Sequence, residues 1–176
     1  MLAFFRQLFG FGIISGVAYW FWRYFAPQHS TLVLEDKVVV VTGASSSLGK
    51  ALALSFAKRG TRVVLVGEDT ESLEVVQREI EPYASAVLTL EADVRDTEQH
   101  KRIQQDTLDT FGRIDVLVNH AGVVSRELLT NVDEEDHIRE VIEVNLTATI
   151  LLTKALLPVM ATQREGYILF IGSDLG

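Results

Sequence analysis

Val38-Val39-Val40-Val41-Thr42-Gly43-Ala44-Ser45-Ser46-Ser47-Leu48-Gly49 sets the architecture of this chain. Four consecutive valines are too apolar and too β-branched for a half-exposed helix. They read as a strand buried on both faces, as in a parallel sheet. A Gly/Ser-rich turn follows, and Lys50-Ala51-Leu52-Ala53-Leu54-Ser55-Phe56-Ala57-Lys58-Arg59 continues as an amphipathic helix. Strand, glycine turn and helix in that order aim the unpaired N–H groups and the positive end of the helix dipole at whatever sits over the turn. That is a setting for an anionic group, typically a dinucleotide pyrophosphate. A plain tight turn without a ligand is the bland alternative for the same residues.

Beyond this unit, strand-like and helix-like segments alternate, the pattern of a doubly wound α/β fold. Arg62 to Gly67 is a second strand, introduced by Gly60, and a helix from about Thr70 to Glu81 is stopped by Pro82. Ala86 to Glu91 is a third strand leading to Asp93-Val94. Asp96 with Gln99 has the spacing of a capping box for a helix ending near Phe111-Gly112. Val116 to Asn119 is a fourth strand, followed by the turn His120-Ala121-Gly122. An acidic helix near Asp133 to Glu143 precedes a long apolar one, about Asn145 to Met160, and Tyr167 to Ile171 is a fifth strand running into Gly172-Ser173. In an open parallel sheet, ligands collect beyond the carboxyl ends of the strands. Gly43, Glu68, Asp93, Asn119 and Ser173 all fall at such ends.

The 176 residues suit one domain with a substantial core. The net charge of −8 argues against nucleic acid as a partner. With no cysteine, disulfides, zinc–thiolate sites and thiol catalysis are excluded. Residues 1–26 are almost entirely apolar, interrupted by Arg6 and Arg23, with Trp20, Trp22, Tyr24 and Phe25 forming an aromatic end. The segment is expected to be an uncleaved N-terminal membrane anchor, its arginines snorkelling to the interface. A monotopic hairpin or interfacial helix is the alternative. Residues 27–33 form a short polar linker, and the folded domain is expected over 34–176.

The spacing Thr42-Gly43-x-x-x-Ser47-x-Gly49 resembles the cofactor turn of the short-chain dehydrogenase/reductase family, Thr-Gly-x-x-x-Gly-x-Gly, with Ser47 replacing its middle glycine. That glycine lets backbone approach the phosphates, so a Cβ there bears directly on binding. Asn119-His120-Ala121-Gly122 is similar to the family's Asn-Asn-Ala-Gly segment, departing at His120. The resemblance implies a Rossmann-like doubly wound parallel sheet, incomplete at about five strands, behind the N-terminal hydrophobic helix. It implies cofactor contacts from Thr42, Gly43, Ser45, Ser46, Ser47, Leu48 and Gly49 in the turn. Asp93 and Val94 would meet the adenine, and Asn119, Ala121 and Gly122 would line the adenosine side. Glu68, at the end of the second strand, is placed to accept hydrogen bonds from ribose hydroxyls and to repel a 2′-phosphate. Neither Ser46 nor Glu68 supplies the cation found in many NADP-preferring members. The expected cofactor is therefore NAD or NADP, with NAD preferred.

Two residues resemble catalytic positions. Ser173, after the fifth strand, matches the serine whose hydroxyl binds the substrate carbonyl or alcohol. Asn145 matches the asparagine that begins or kinks the long interface helix and helps hold a proton relay. The family's Tyr-x-x-x-Lys pair, which moves the proton at the substrate oxygen, does not occur: Tyr19, Tyr24, Tyr83 and Tyr167 have no lysine four residues on. The resemblance covers residues 34–176, about the first two thirds of a family domain. The expectation is thus a C-terminally truncated form, inactive alone. Its long helix would expose Leu146, Ile150 and Leu157.

The implied function is an NAD(P)-dependent oxidoreductase at a membrane, the endoplasmic reticulum if the source is eukaryotic. Its substrate class is a lipid alcohol or carbonyl such as a steroid, retinoid or sphingoid. The alternative is an inactive truncated form that binds a dinucleotide or a partner protein. Expected partners are the lipid substrate and the membrane, with a homo-oligomer or pairing with a full-length homologue also open. No metal site is expected: His29, His100, His120 and His137 lack ligand spacing, and His100 and His137 read as solvated. The run Asp133-Glu134-Glu135-Asp136 is an ordinary acidic helix start.

Overall fold

Val38–Thr42 forms strand β1, and all five residues are buried. This computed structural model describes residues 33–124 and 135–172. The expected anchor, most of the linker, Asp133, Glu134 and Ser173 lie outside the described residues. β1 pairs in parallel with β2 (Arg62–Gly67) on one side and β4 (Val116–Asn119) on the other. β3 (Ala86–Glu91) adds beyond β2, and β5 (Tyr167–Phe170) beyond β4. The order β3-β2-β1-β4-β5 reverses direction between β1 and β4, which is where such sheets bind ligands.

The valine run is explained by its two faces. Side chains alternate along a strand, so Val38 and Val40 enter one core with Val64, Val66 and Leu117. Val39 and Val41 enter the other with Val63, Leu65 and Val118. Helices α1 (Ser47–Ala57) and α2 (Thr70–Ile80) cover the second face through Ala53, Ala57, Leu73, Val76 and Ile80. The first face is covered by α3 (Thr97–Phe111) through Ile103, and by a long helix through Leu152, Leu156 and Met160. Each fully buried valine is worth about 1.5–3 kcal/mol of transfer free energy, so neither face can be left to water.

Helix boundaries differ from the sequence expectations where side chains intervene. α1 starts at Ser47 rather than Lys50 because the Ser46 hydroxyl caps it, accepting the Gly49 N–H at 3.0 Å. α3 is capped by Asp96, which accepts from the Glu98 N–H at 3.0 Å. Gln99 does not complete a capping box on Asp96. Its Oε1 accepts the Asp93 N–H at 3.0 Å while its Nε2 donates to the Asp96 carboxylate at 2.9 Å. Gly112 ends α3 with φ +74°, as a left-handed cap. β5 stops at Phe170, although the Ile171 N–H still bonds to the Asn119 carbonyl at 2.9 Å.

Two expectations are corrected. His100 is not solvated: it is 2% exposed, and its Nε2 lies 2.6 Å from the Val94 carbonyl. The polar sequence around it faces outward, but one helical position in α3 points at the end of β3. The acidic and apolar helices are not separate either. α4 (Glu135–Ile142), a π-helical segment (Glu143–Ala148) and α5 (Thr149–Gln163) run on without a break, so Asn145 sits in a wide turn inside the helix rather than at its start. Leu146, Ile150 and Leu157 are exposed along that helix, as expected.

At the opposite end of the sheet Asp115 joins the strands. Its carboxylate accepts the Val38 N–H at 2.9 Å and the Arg113 guanidinium at 2.5 and 2.8 Å, with Lys37 Nζ at 3.4 Å.

Candidate functional site

The site is assembled from the ends of β1, β2, β3 and β4. Thr42, the last residue of β1, organises its centre. Its hydroxyl donates to the Val118 carbonyl at 3.3 Å and accepts the N–H groups of His120 and Ala121, both at 3.0 Å. One buried side chain therefore ties the turn after β1 to the turn after β4. Gly43 follows at φ +63°, and a Cβ there would stand 2.9 Å from the Ala121 Cα. Both its backbone conformation and the close approach of Ala121 require glycine. Gly49 is held more tightly still: a Cβ there would overlap the Gly43 carbonyl oxygen. The first turn of α1 thus lies directly on the glycine turn, with its free N–H groups at the surface between them.

Ser45, Ser46, Ser47 and Leu48 form the exposed lip of this turn. Ser46 is its latch. Its hydroxyl accepts from Gly49, donates to the Gly43 carbonyl at 2.8 Å, and lies 2.8 Å from His120 Nε2. Ser47, where the resemblance calls for glycine, is the first residue of α1. Among the described residues only Asp36 and Arg164 are non-glycine positions with positive φ, so the backbone at 47 accepts serine without strain. Its side chain is exposed on the lip of the turn.

On one side of the turn, beyond β2 and β3, a cavity of about 560 Å³ is lined by Glu68, Glu91, Ala92, Asp93, Glu98, Gln99 and Arg102. Glu68 is exposed just past β2. Val94 is buried, and Asp93 is gripped by Arg95 through Nε at 2.9 Å and Nη2 at 2.7 Å. The Arg95 hydrogen bonds hold the Asp93 carboxyl below its usual range against partial burial. On the other side, a cavity of about 510 Å³ is bordered by Leu48, Asn119, His120, Ala121, Gly122, Asn145 and Phe170. Asn119 is buried and donates from Nδ2 to Thr153 Oγ1 at 3.1 Å. Asn145 exchanges two hydrogen bonds with the backbone of Val123.

Thr42, Gly43, Ser45, Ser46, Ser47, Leu48, Gly49, Asn119, Ala121, Gly122 and Asn145 are therefore brought together around the turn. Glu68, Asp93 and Val94 stand on its β2–β3 flank. Sequence reasoning missed Arg95, whose i, i+2 spacing from Asp93 was the available signal. It also gave no role to His120, although a departure inside a motif marks a place to look. A glycine turn too tight for any Cβ, with a helix N-terminus above it and a cavity on each flank, fits an elongated ligand with an anionic centre.

Residues 37–176 match the family described as short chain dehydrogenase. The chain is 38% identical over 143 residues to the 3-oxoacyl-[acyl-carrier-protein] reductase FabG of Thermotoga maritima, covering 81% of this chain and 58% of that one. It is 35% identical over 156 residues to an 11-beta-hydroxysteroid dehydrogenase A of Sesamum indicum, covering 86% and 44%. Among solved structures, a metagenomic short-chain oxidoreductase in complex with NADP superimposes with a TM-score of 0.72 at 34% identity, covering 77% of this chain and 62% of that one. The chain thus spans about six tenths of the length of the bacterial reductase and under half that of the plant enzyme.

Proposed function

The chain belongs to the short-chain dehydrogenase family, and from that premise we propose that it binds a nicotinamide dinucleotide across the Gly43–Gly49 turn as part of an oxidoreductase acting on an alcohol or carbonyl. The observation that carries this reading is the pair of cavities flanking a turn whose two glycines admit no side chain. When bound, the nicotinamide would supply hydride chemistry. The chain's own residues have distinct tasks. The N–H groups opening α1 meet the pyrophosphate. Glu68 accepts from the ribose hydroxyls, Asp93 and Val94 border the adenine, and Asn119, Ala121 and Gly122, expected on the adenosine side, instead wall the other flank. Ser173 would hold the substrate oxygen, and Asn145 fixes the backbone at Val123 after β4.

NAD is our preferred cofactor, because Glu68, Glu91, Asp93 and Glu98 outnumber the single cation Arg102 in the lining of the β2–β3 cavity, and Glu68 at the end of β2 would repel a 2′-phosphate. The NADP in the metagenomic relative makes this a comparison to run rather than to assume. We further propose that residues 1–26 anchor the protein in a membrane, the endoplasmic reticulum in a eukaryotic cell. A lipid alcohol or ketone would then be the substrate class, in keeping with the steroid dehydrogenase name of the plant relative.

The 176 residues contain no Tyr-x-x-x-Lys segment, so nucleotide binding is the readout of choice. The full chain in detergent is melted with and without NADH or NADPH. The expected result is a rise in Tm, larger with NADH, that disappears in Gly43→Val. A wild-type chain whose Tm responds to neither nucleotide would overturn the reading.

A further inference from the structure

We propose that His120 is a positioning residue whose ring holds the Ser46 latch and whose protonation tightens dinucleotide binding. The inference rests on the nucleotide reading above and goes beyond it, because it assigns a pH response to that site.

The hydrogen-bond accounting at Ser46 carries the argument. Its hydroxyl has one proton and two acceptor lone pairs. The Gly49 N–H occupies one lone pair at 3.0 Å, and the proton goes to the Gly43 carbonyl at 2.8 Å. His120 Nε2, at 2.8 Å, satisfies the remaining lone pair only if it carries a hydrogen. The full set of bonds therefore requires the ring to donate from Nε2. The imidazolium also donates from Nε2, so protonation keeps every bond and adds a positive charge. A ring with Nε2 unprotonated would force the hydroxyl to abandon Gly43.

The backbone of His120 cannot drift away from this contact, because Thr42 Oγ1 accepts its N–H at 3.0 Å. The charge would appear at the cap of α1, where the helix N-terminus already favours an anion. Among the described residues nothing else ionisable borders the ring's cavity. Besides the segment from Asn119 to Val124 that carries the ring, the cavity is bordered by Leu48 on α1, Asn145 and Thr149 on the long helix, Phe170 at the end of β5, and Ile171 and Gly172 after it, all uncharged. Lys50 on α1 is committed to Glu79, and Glu143 borders a separate groove with Arg95 and Arg139. Partial burial holds the His120 pKa below the usual histidine value, so the free site is mostly neutral at pH 7. A bound pyrophosphate stabilises the charged form and raises that pKa, so binding takes up a proton. By linkage, affinity increases as pH falls between the bound and free values.

The test is the Kd of the full chain for NADH and for NADPH between pH 8 and 5.5, in wild type, His120→Gln and His120→Ala. Glutamine carries its N–H donor about as far from the backbone as His120 Nε2 and cannot be charged. The ligand's own ionisation cancels when variants are compared with wild type. Wild-type affinity is expected to rise about tenfold over this range, whereas the pH profile of His120→Gln is flat. His120→Ala is expected to lose that rise and to bind more weakly than His120→Gln at pH 8. Parallel pH profiles in wild type and His120→Gln would overturn the inference while leaving the binding site in place. A wild-type chain that binds neither nucleotide at any pH would overturn the nucleotide reading, and this inference with it.

Discussion

Asn145 pairs with Val123 through both ends of its amide. Oδ1 accepts the Val123 N–H and Nδ2 donates to the Val123 carbonyl, each at 2.8 Å. A side-chain amide here imitates a neighbouring strand, closing the backbone of the loop after β4 against the π-helical turn at Glu143–Ala148. The wide turn and the contact belong together, because a π-turn inside an α-helix displaces side chains from the regular spacing. Gly122 is fitted to the same contact: a Cβ there would stand 3.0 Å from Asn145 Oδ1.

Asn145→Ala should therefore cost about 1–2 kcal/mol, the net worth of two hydrogen bonds. Asn145→Asp should not rescue it, since a carboxylate offers no donor to the Val123 carbonyl. Urea denaturation of the three chains checks this. Full stability in the aspartate variant would show that the Nδ2 bond contributes nothing.

The contact of Gly49 with the Gly43 carbonyl predicts that even one methyl group is too much. Gly49→Ala must separate α1 from the glycine turn, at a cost of about 3 kcal/mol or a Tm lower by roughly 6–12 °C. An unchanged Tm would mean that helix and turn can part to admit a methyl group without loss, so that the Gly43 carbonyl does not fix the helix against the turn.

Asp115 gives the fold an acid limit. Burial opposes its ionisation, but the Arg113 guanidinium, the Val38 N–H and the Lys37 charge outweigh burial and hold its carboxyl below the usual range. In the unfolded chain it titrates near pH 3.9. With the folded pKa depressed, its contribution is complete above about pH 5 and is lost as pH falls through 3.9 towards the folded value. Asp115→Asn should lower stability at pH 7 by about 2 kcal/mol and flatten the decline below pH 5. Melting curves from pH 7 to 3 measure both effects, and parallel declines in the two chains would remove Asp115 from the account.

His100→Leu should destabilise by about 1–2 kcal/mol despite being more apolar, because it strands the buried Val94 carbonyl without its donor at 2.6 Å. Denaturation midpoints for wild type, His100→Leu and His100→Gln make the comparison. A leucine variant as stable as wild type would mean that water replaces the ring.

The parallel sheet was legible from composition because its signal is local and redundant. Val38 to Val41 alternate between two buried faces, so both sets must be apolar, and β-branching at all four favours strand over buried helix. The glycine turn was legible for a related reason: Gly43 and Gly49 are each demanded by a steric contact close along the chain or across one strand. His100 was misread because its neighbours in sequence are polar, while its environment is set by the end of β3 folded over it. The break expected before Asn145 failed similarly. Asn145 reads as a helix start in isolation, and its partner Val123 lies 22 residues away.

Residue order alone specified the alternation of strands and helices, the glycine turn and the acidic ends of β2 and β3, since each depends on hydrophobic period or backbone sterics over a few positions. Tertiary contacts specified the rest. The Ser46–His120 latch, the grip of Thr42 on the loop after β4 and the π-turn at Asn145 join residues 74, 78 and 22 positions apart. Hydrogen bonds of that kind exist only after the sheet has brought its strand ends together, and nothing in the spacing of residues along the chain encodes them.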